Sequence, residues 1–444
     1  MIPQNQLAFL LVVKQDSYDK LCLDLDEIAK NPANNTIFPF SNSKTTHFAR
    51  WLIMPSKENG RYYLVFSSNF DGQSRKAHIE EWYDTNETGL DRLLSYCEDY
   101  SASATKAQKV NFLYKHRKNP AAFYIGTRGH SVQGVERDFK LRNFIRDFLD
   151  TKDYSLGQEK QVVQDVRQLV SSSDEFKWAM KKTSYSFAYR LKQGFQKLFD
   201  YTLLALFALV FIVGALGIVL VPLLIAFGVK TSLIIALGAL TLWVIYIIVT
   251  LRIKETKDGV SHARISLERA EALGKVEDVY LQNQMTHLVT IKPGSFRAGT
   301  QRVALWGIYV LAKHYFNKGT LGGIPSIHFA RWIIVDKRLL FFSNFDASWM
   351  NYLGDFIDKA SVGLTAAWSS TEGFPKTKFL AFGGATMADR FKRWARNLQI
   401  PTQVWYSAYP NYSVENINTN AKIRQGLSAN LSSDKARKQW LALL

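Results

Sequence analysis

The sequence predicts an α+β protein in which two copies of one module flank a two-helix transmembrane hairpin. Three observations support this prediction: two long uncharged stretches in mid-chain, a block of residues that occurs twice, and the same order of strand-like and helical segments around each occurrence. The 444 residues are enough for two or three domains with hydrophobic cores. A hydrophobic content of 47% and an aromatic content of 14% are typical of a folded chain.

The two uncharged stretches cover residues 201–229 and 231–251. Each is longer than the roughly 20 apolar residues that a membrane-spanning helix needs. Only a short break around Lys230 separates them, and Pro222 is expected to kink or shorten the first helix. A buried helical pair in a soluble core is the alternative, and it is disfavoured because nothing on these helices is polar enough to face water.

Basic residues flank the hairpin at both ends. The connecting turn contains only Lys230. Five basic residues precede the first helix, namely Lys181, Lys182, Arg190, Lys192 and Lys197, and four follow the second, namely Arg252, Lys254, Lys257 and Arg264. The positive-inside rule therefore predicts an integral membrane protein with both termini and both modules in the cytoplasm.

The segment before the hairpin has the pattern of an amphipathic helix. Its apolar residues recur at roughly helical spacing between lysines and arginines: Phe176, Met180, Phe187, Leu191, Phe195 and Leu198. We expect a helix that lies on an anionic membrane surface or, equally, one that packs on the protein's own modules.

The duplicated block is the strongest indication of domain organisation. HFARWLI at 47–53 and LVFSSNFDG at 64–72 match HFARWII at 328–334 and LLFFSNFDA at 339–347, in the same order. Weaker matches extend outward, from 5–10 to 283–288 and from 123–126 to 405–408. The predicted domains are a first repeat at 1–150, a helical linker at 151–200, the hairpin at 201–251, a second linker at 252–280 and a second repeat at 281–444.

Each repeat has segments in the order strand, helix, strand, strand, helix, strand. In the first, strands are predicted at 8–14, 46–54 and 62–67 and helices at 18–30 and 78–100, with a polar turn at 55–60. In the second, the corresponding turn is at 336–338 and the following helix at 349–364. This order resembles the ferredoxin-like βαββαβ fold.

A ferredoxin-like sheet has one bare face, and two repeats in one chain could pair these faces. The arrangement resembles the dimeric α/β-barrel superfamily, here as a pseudo-dimeric barrel covering roughly two thirds of the chain. That superfamily includes chlorite dismutases and dye-decolourising peroxidases, which are haem enzymes, as well as haem-free monooxygenases and non-catalytic modules. The peroxidases' distal aspartate–arginine motif and proximal histidine are not found by pattern, so haem is a candidate cofactor by resemblance alone.

Four residues of the duplicated block are candidate catalytic residues. His47 and His328 open the second strand of each repeat, either as ligands or acid–base groups facing a cavity between the sheets or as packed histidines bonded to a loop. Alternation along the strand places His47 on the face of Ala49 and Trp51. Arg50 and Arg331 lie in mid-strand, where a buried guanidinium needs an anion. We expect ion pairs with Asp71 and Asp346, and substrate binding is the alternative.

Asn69, Asp71, Asn344 and Asp346 form a motif just before the second helix of each repeat. We expect them to cap that helix and close the turn before it, rather than to bind metal or catalyse. The sequence contains no spacing of His, Asp or Glu that predicts a metal site. Its two cysteines, Cys22 and Cys97, form no metal-binding pair and suit a reducing compartment.

The net charge of +18 allows nucleic acid, anionic lipid or an anionic substrate as a partner. The second repeat contains most of the excess, including a basic group around Trp394 formed by Arg390, Lys392, Arg393 and Arg396. Next to a membrane hairpin, this predicts contact with anionic membrane lipids. Nucleic acid is disfavoured because no helix-turn-helix, zinc or RNP-type motif is found, and no P-loop, GxGxxG, GxSxG or HExxH motif indicates a familiar enzyme class.

Two hypotheses of function remain. The first is a scaffold or module that binds lipid or another hydrophobic ligand at the cytoplasmic membrane face, and it is favoured because each motif residue has an adequate structural explanation. The second is a membrane-bound oxidoreductase, peroxidase-like or monooxygenase-like, acting on a hydrophobic or lipid-derived substrate. Gly214, Gly217 and Gly238 predict close helix packing between protomers and hence a homo-oligomer.

Overall fold

The computed structural model describes residues 1–56, 60–275, 277, 280–317 and 319–444, so part of the predicted turn at 55–60 lies outside the described residues. The strands are β1 Gln4–Val12, β2 Thr46–Pro55, β3 Tyr62–Asp71, β4 Ala122–Ile125, β5 Gln282–Thr290, β6 Ile327–Val335, β7 Arg338–Asp346, β8 Thr377–Lys378, β9 Phe382–Gly383 and β10 Val404–Ser407. The helices are α1 Tyr18–Lys30, α2 Arg75–Ser95, α3 Lys106–His116, α4 Val132–Leu149, α5 Glu159–Ser172, α6 Phe187–Ala226, α7 Thr231–Lys257, α8 Leu267–Gly274, α9 Ser295–Val310, α10 Trp349–Trp368, α11 Ala388–Leu398, α12 Val414–Leu427 and α13 Asp434–Leu441.

The long strands form two antiparallel four-stranded sheets, ordered β1-β3-β2-β10 and β4-β6-β7-β5. Each sheet takes three strands from one repeat and its short fourth strand from the other. Tyr406 of β10 lies opposite Ala49 of β2, and Tyr124 of β4 lies opposite Ala330 of β6. The mixed α+β class is thus present, but ferredoxin-like repeats are not confirmed, because neither repeat keeps its own fourth strand. The exchange interlocks the two halves as domain swapping interlocks two protomers.

The two sheets pack face to face, and helices cover their outer faces. Alternation along β2 directs Trp51 outward into the core beneath α1, α2 and α3, while Leu52 points inward. The inner layer joins apolar residues of both sheets, such as Leu10 with Phe342. In the second half, α9, α10 and α11 cover the other sheet. A third cluster, made by α4, α5, α12 and α13, joins the ends of both repeats.

The helices α6 and α7 form an apolar hairpin that is long and apolar enough to cross a membrane. Only 11% of the most apolar window of each helix is buried, so these are not core helices of the described structure. Pro222 does not shorten α6, which continues to Ala226. The two helices meet through small residues: a Cβ on Gly214 would lie 2.4 Å from Val244 Cγ2, and one on Gly217 would lie 1.8 Å from Thr241 Oγ1.

Two expectations around the hairpin are corrected. Gly214 and Gly217 are used within the chain rather than between protomers, whereas Gly238 faces open space. The segment before the hairpin is not one amphipathic helix, because Phe176 is buried against the terminal helices and α6 begins only at Phe187. The later apolar residues of the predicted amphipathic segment are exposed on the first turns of α6; they are Phe187, Leu191, Phe195 and Leu198.

Candidate functional site

The two candidate histidines lie at one end of the layer between the sheets. A β-bulge interrupts each second strand at the histidine of its HFARW block, between Thr46 and Phe48 and between Ile327 and Phe329. A bulge breaks the strict alternation of faces. Both His47 and Phe48 therefore contact Phe329 of the other half, at ring-centroid distances of 5.5 and 5.8 Å. The expected shared face of His47, Ala49 and Trp51 is wrong for this reason.

Each histidine is bonded to the aspartate of its own repeat. His47 Nε2 lies 3.0 Å from Asp71 Oδ1, and His328 Nε2 lies 2.7 Å from Asp346 Oδ1. An ionised carboxylate only accepts hydrogen bonds, so Nε2 is the donor in both pairs. Both imidazoles are fully buried.

The aspartates also hold the start of a distant helix. Asp71 Oδ2 accepts from the backbone N–H of Val132 in α4 at 2.9 Å, and Asp346 Oδ2 accepts from Val414 in α12 at 2.8 Å. A carboxylate at a helix N-terminus is favoured by the unpaired N–H groups and the helix dipole. The expectation that these aspartates cap α2 and α10 is wrong, since Ser74 and Ser348 do so.

The two histidine sites differ in their second contact. The hydroxyl of Tyr409 lies 2.7 Å from His47 Nδ1, and burial raises the pKa of this tyrosine well above its usual value. In the first repeat, Thr127 stands at the same distance before α4 as Tyr409 stands before α12. His328 Nδ1 and Thr127 Oγ1 are both buried without a hydrogen-bond partner in the described part of the chain. Because Thr127 is shorter than tyrosine, His328 lacks the hydroxyl contact that Tyr409 makes with His47.

The two arginines cross from one sheet to the other. Arg50 Nη1 donates to Gln284 Oε1 at 3.1 Å, and its Nη2 donates to Asn344 Oδ1 at 2.5 Å. Arg331 Nη1 donates to Gln6 Oε1 at 2.7 Å, and its Nη2 donates to Asn69 Oδ1 at 3.3 Å. The expected ion pairs with Asp71 and Asp346 do not form, and neutral oxygens take their place.

Burial of these guanidinium groups is nearly complete, at 1% exposure for Arg50 and 2% for Arg331. It lowers the pKa of Arg50 to about 9 and also lowers the pKa of Arg331, which the nearby Arg50 lowers further. Phe342 lies 5.0 Å and 5.6 Å from the two guanidinium carbons. Asn344 Nδ2 donates to Asn69 Oδ1 at 3.2 Å, so these motif asparagines join the sheets rather than close a turn.

We call His47, His328, Arg50 and Arg331, together with the side chains to which they are bonded, the clamp. A histidine between an aspartate and a tyrosine can relay a proton, but a catalytic base must come within hydrogen-bond reach of its substrate. His47, His328, Arg50 and Arg331 are at most 2% exposed and bond to the protein itself. Among the described residues there is also no group of three or more His, Cys, Asp or Glu side chains that could hold a metal ion.

Sequence reasoning missed a basic pocket where α7 ends. The pocket has a volume of about 560 Å³, and its basic lining residues are Lys254, Lys257, Lys292 and Arg297. Asp258 partly neutralises it by accepting from Lys292 Nζ at 2.8 Å and from Arg297 Nη2 at 2.6 Å. Burial lowers the pKa of Lys292. These residues come from α7, the loop after β5 and the first turn of α9, so no contiguous motif could have indicated the pocket.

The basic residues predicted around Trp394 lie on α11, but they do not form one free patch. Trp394 is buried and donates to the carbonyl of Glu372 at 3.0 Å. Arg396 is paired with Glu277 at 2.6 Å, while Lys392 and Arg393 line a second pocket of about 720 Å³.

Comparison with known proteins gives no relative: no protein-family model, curated protein or solved structure matches this chain.

Proposed function

We propose that this protein is a membrane-anchored, non-catalytic scaffold that binds anionic lipid headgroups at the cytoplasmic membrane face. The observation behind this proposal is that all four candidate catalytic side chains are buried to 2% exposure or less and engaged in holding the fold together. Groups placed in this way stabilise the pairing of the sheets and have no access to a substrate from solvent.

The membrane anchor is the α6–α7 hairpin. Its helices are long and apolar, with little of either buried inside the protein. A hairpin returns the chain to the side from which it came, and the basic flanks favour the cytoplasm as that side. Both repeats and both termini then lie in the cytoplasm.

The basic pocket lies at the height expected of lipid phosphates. The apolar stretch of α7 ends at Leu251, and Lys254 follows three residues later, which is about 5 Å along a helix. In the described chain, neither Lys254 nor Lys257 has a carboxylate partner, so both ammonium groups are available to an anion. We assign this pocket to the headgroup of an anionic lipid.

Lipid retention tests this proposal. The protein is reconstituted in nanodiscs with equal amounts of phosphatidylglycerol and phosphatidylcholine, re-extracted in mild detergent, and its retained lipid is measured by mass spectrometry. We expect several-fold enrichment of phosphatidylglycerol, reduced at least threefold by the Lys254→Gln/Lys257→Gln double variant. The matched control is Lys422→Gln/Lys435→Gln, which removes the same charge from exposed positions near the carboxy terminus. Equal retention by all three proteins would refute the headgroup assignment.

The assembly is proposed to be a homo-oligomer. Of the three glycines predicted to pack against another helix, Gly238 on α7 faces open space. Another protomer could approach α7 at this position. A detergent-corrected mass equal to one chain would refute this part of the proposal.

A further inference from the structure

The second repeat contains a small hairpin that has no counterpart in the first. Residues 369–387 connect α10 to α11 and include β8 and β9, whereas residues 96–105 connect α2 to α3 without a hairpin. We call residues 377–383 the finger. Two large apolar side chains of the finger are exposed to an extent that is unusual for a surface loop: Phe379 is 48% exposed and Phe382 is 62% exposed.

The turn of the finger has a strained backbone. Phe379 and Leu380, its central residues, have φ angles of 53° and 59°. Bulky residues rarely adopt this left-handed conformation, which glycine or asparagine would accept at lower cost. The sequence therefore retains large apolar side chains at a position where the backbone favours small or polar ones.

The finger is fixed to the end of α7. Glu255 is 1% exposed, and its carboxylate accepts hydrogen bonds from Thr377 Oγ1, Phe379 N and Leu380 N, each at 2.9 Å. The guanidinium of Arg252 lies 5.0 Å from the ring of Phe379. Glu255 comes four residues after Leu251, the end of the apolar stretch, which is about 6 Å along a helix. The exposed phenylalanines are thus held close to the end of the apolar stretch.

Helix α9 of the same repeat approaches the other hairpin helix. The ring of Trp306 lies 5.9 Å from Phe207, which is six residues, or about 9 Å, into the apolar stretch of α6. Two apolar residues of this region are exposed, Val303 at 43% and Leu311 at 40%. The corresponding helix of the first repeat, α1, is instead rich in acidic residues. Among the described residues, the second repeat thus presents exposed apolar groups beside both hairpin helices.

We infer that the finger and α9 insert into the headgroup and upper acyl region of the bilayer that α6 and α7 cross, so that the second repeat lies on the membrane. This inference rests on the proposed membrane insertion of the hairpin. The occupant of the exposed apolar groups is the bilayer itself, because Trp306 of α9 contacts Phe207 of α6 and the finger is hydrogen-bonded to Glu255 of α7. Phenylalanine side chains are stabilised at this depth, where they leave water while the finger backbone remains bonded to α7.

Spin-label depth measurements in proteoliposomes test the inference. Single cysteines are introduced by Phe382→Cys, Leu242→Cys and Ser103→Cys in a Cys22→Ser background, since Cys97 is fully buried. Leu242 reports on α7, and Ser103 is an exposed residue in the corresponding connection of the first repeat. Collision rates with oxygen and with a water-soluble nickel chelate are then compared.

We expect the Ser103→Cys label to collide with nickel as freely as a label in water, and the Leu242→Cys label to be almost inaccessible to it. The Phe382→Cys label should show nickel collisions at least fivefold below those at Ser103→Cys, with oxygen collisions above them. Water-like values at Phe382→Cys beside a protected Leu242→Cys label would overturn the inference and leave the membrane anchor intact. Water-like values at Leu242→Cys would overturn the anchor and the inference together. A label at Leu311→Cys, directly after the last residue of α9, tests that region separately, with the same result expected.

Discussion

Replacement of His287 by phenylalanine should stabilise the protein, and more so at acidic pH. His287 of β5 lies opposite Phe341, just as Phe9 of β1 lies opposite Phe66, so the two repeats place a histidine and a phenylalanine at matching positions. Phe9 stacks on Phe66 at 5.1 Å. His287 is 1% exposed, has no hydrogen-bond partner for either ring nitrogen among the described residues, and borders a cavity of about 20 Å³.

The size of the effect follows from these contacts. A buried polar group left without a partner costs about 1–3 kcal/mol, which phenylalanine would not incur. Burial also lowers the pKa of His287 to about 3, against about 6.5 in an unfolded chain. Below pH 6.5 the unfolded chain binds a proton at His287 that the folded protein does not bind. The free energy of unfolding is therefore unaffected by this residue's protonation above pH 6.5 and decreases as the pH falls from 6.5 towards 3. At pH 5 the loss is about 2 kcal/mol, because each pH unit in this window is equivalent to about 1.4 kcal/mol.

We expect His287→Phe to raise the free energy of unfolding by about 2 kcal/mol at pH 7.5 and by about 4 kcal/mol at pH 5. Denaturant unfolding in detergent, followed by circular dichroism, measures both values. The added ring volume enters the cavity, so overpacking should be small. The reverse variant, Phe9→His, is the control and should lower stability, again more at pH 5. An equal effect of His287→Phe at both pH values would refute the reasoning about the buried neutral histidine.

Three further predictions concern the hairpin, the clamp and the exchanged strands. Gly217→Ala should separate α6 from α7 and lower thermal stability by several degrees in a melting scan, whereas Gly238→Ala, which faces open space, should leave it unchanged; equal effects would contradict the packing assigned to Gly217. Asp71→Asn replaces a charged acceptor with a neutral amide, so it should cost about 1–3 kcal/mol in denaturant unfolding without changing lipid retention, and a loss of retention would instead point to a functional role. Residues 1–150 alone should give little protease-resistant product and should become protected when co-expressed with residues 281–444, because each segment supplies the other's fourth strand; protection of 1–150 alone would count against the exchange.

The sequence predicts the hairpin and the strands of the duplicated block because these features are local. It could not predict the exchange of fourth strands. Both β4 and β10 pair with a strand that contains the HFARW block. Tyr124 and Tyr406 would therefore lie opposite an equivalent alanine in either repeat. The choice between the two pairings depends on the tertiary arrangement, which local patterns do not contain.

The sequence singled out the residues of the duplicated block but did not predict their contacts. His47 and Arg50 lie in the structural centre of the molecule, as the duplicated blocks suggest. Their partners were misassigned in two ways. The bulge before Phe48 removes the alternation used to assign faces, and Arg50 bonds to neutral oxygens such as that of Asn344 on the other sheet, which a search for opposite charges within one repeat does not consider.

An absorption spectrum of the detergent-purified protein, expressed with haem precursor supplied, tests the central claim most directly. The claim is that His47 and His328 stabilise the pairing of the sheets and bind no cofactor. We predict a bare protein spectrum, and no binding when haem is added back. A stoichiometric Soret band that disappears in His47→Ala or His328→Ala would contradict the claim, identify the haem ligand and favour the oxidoreductase hypothesis.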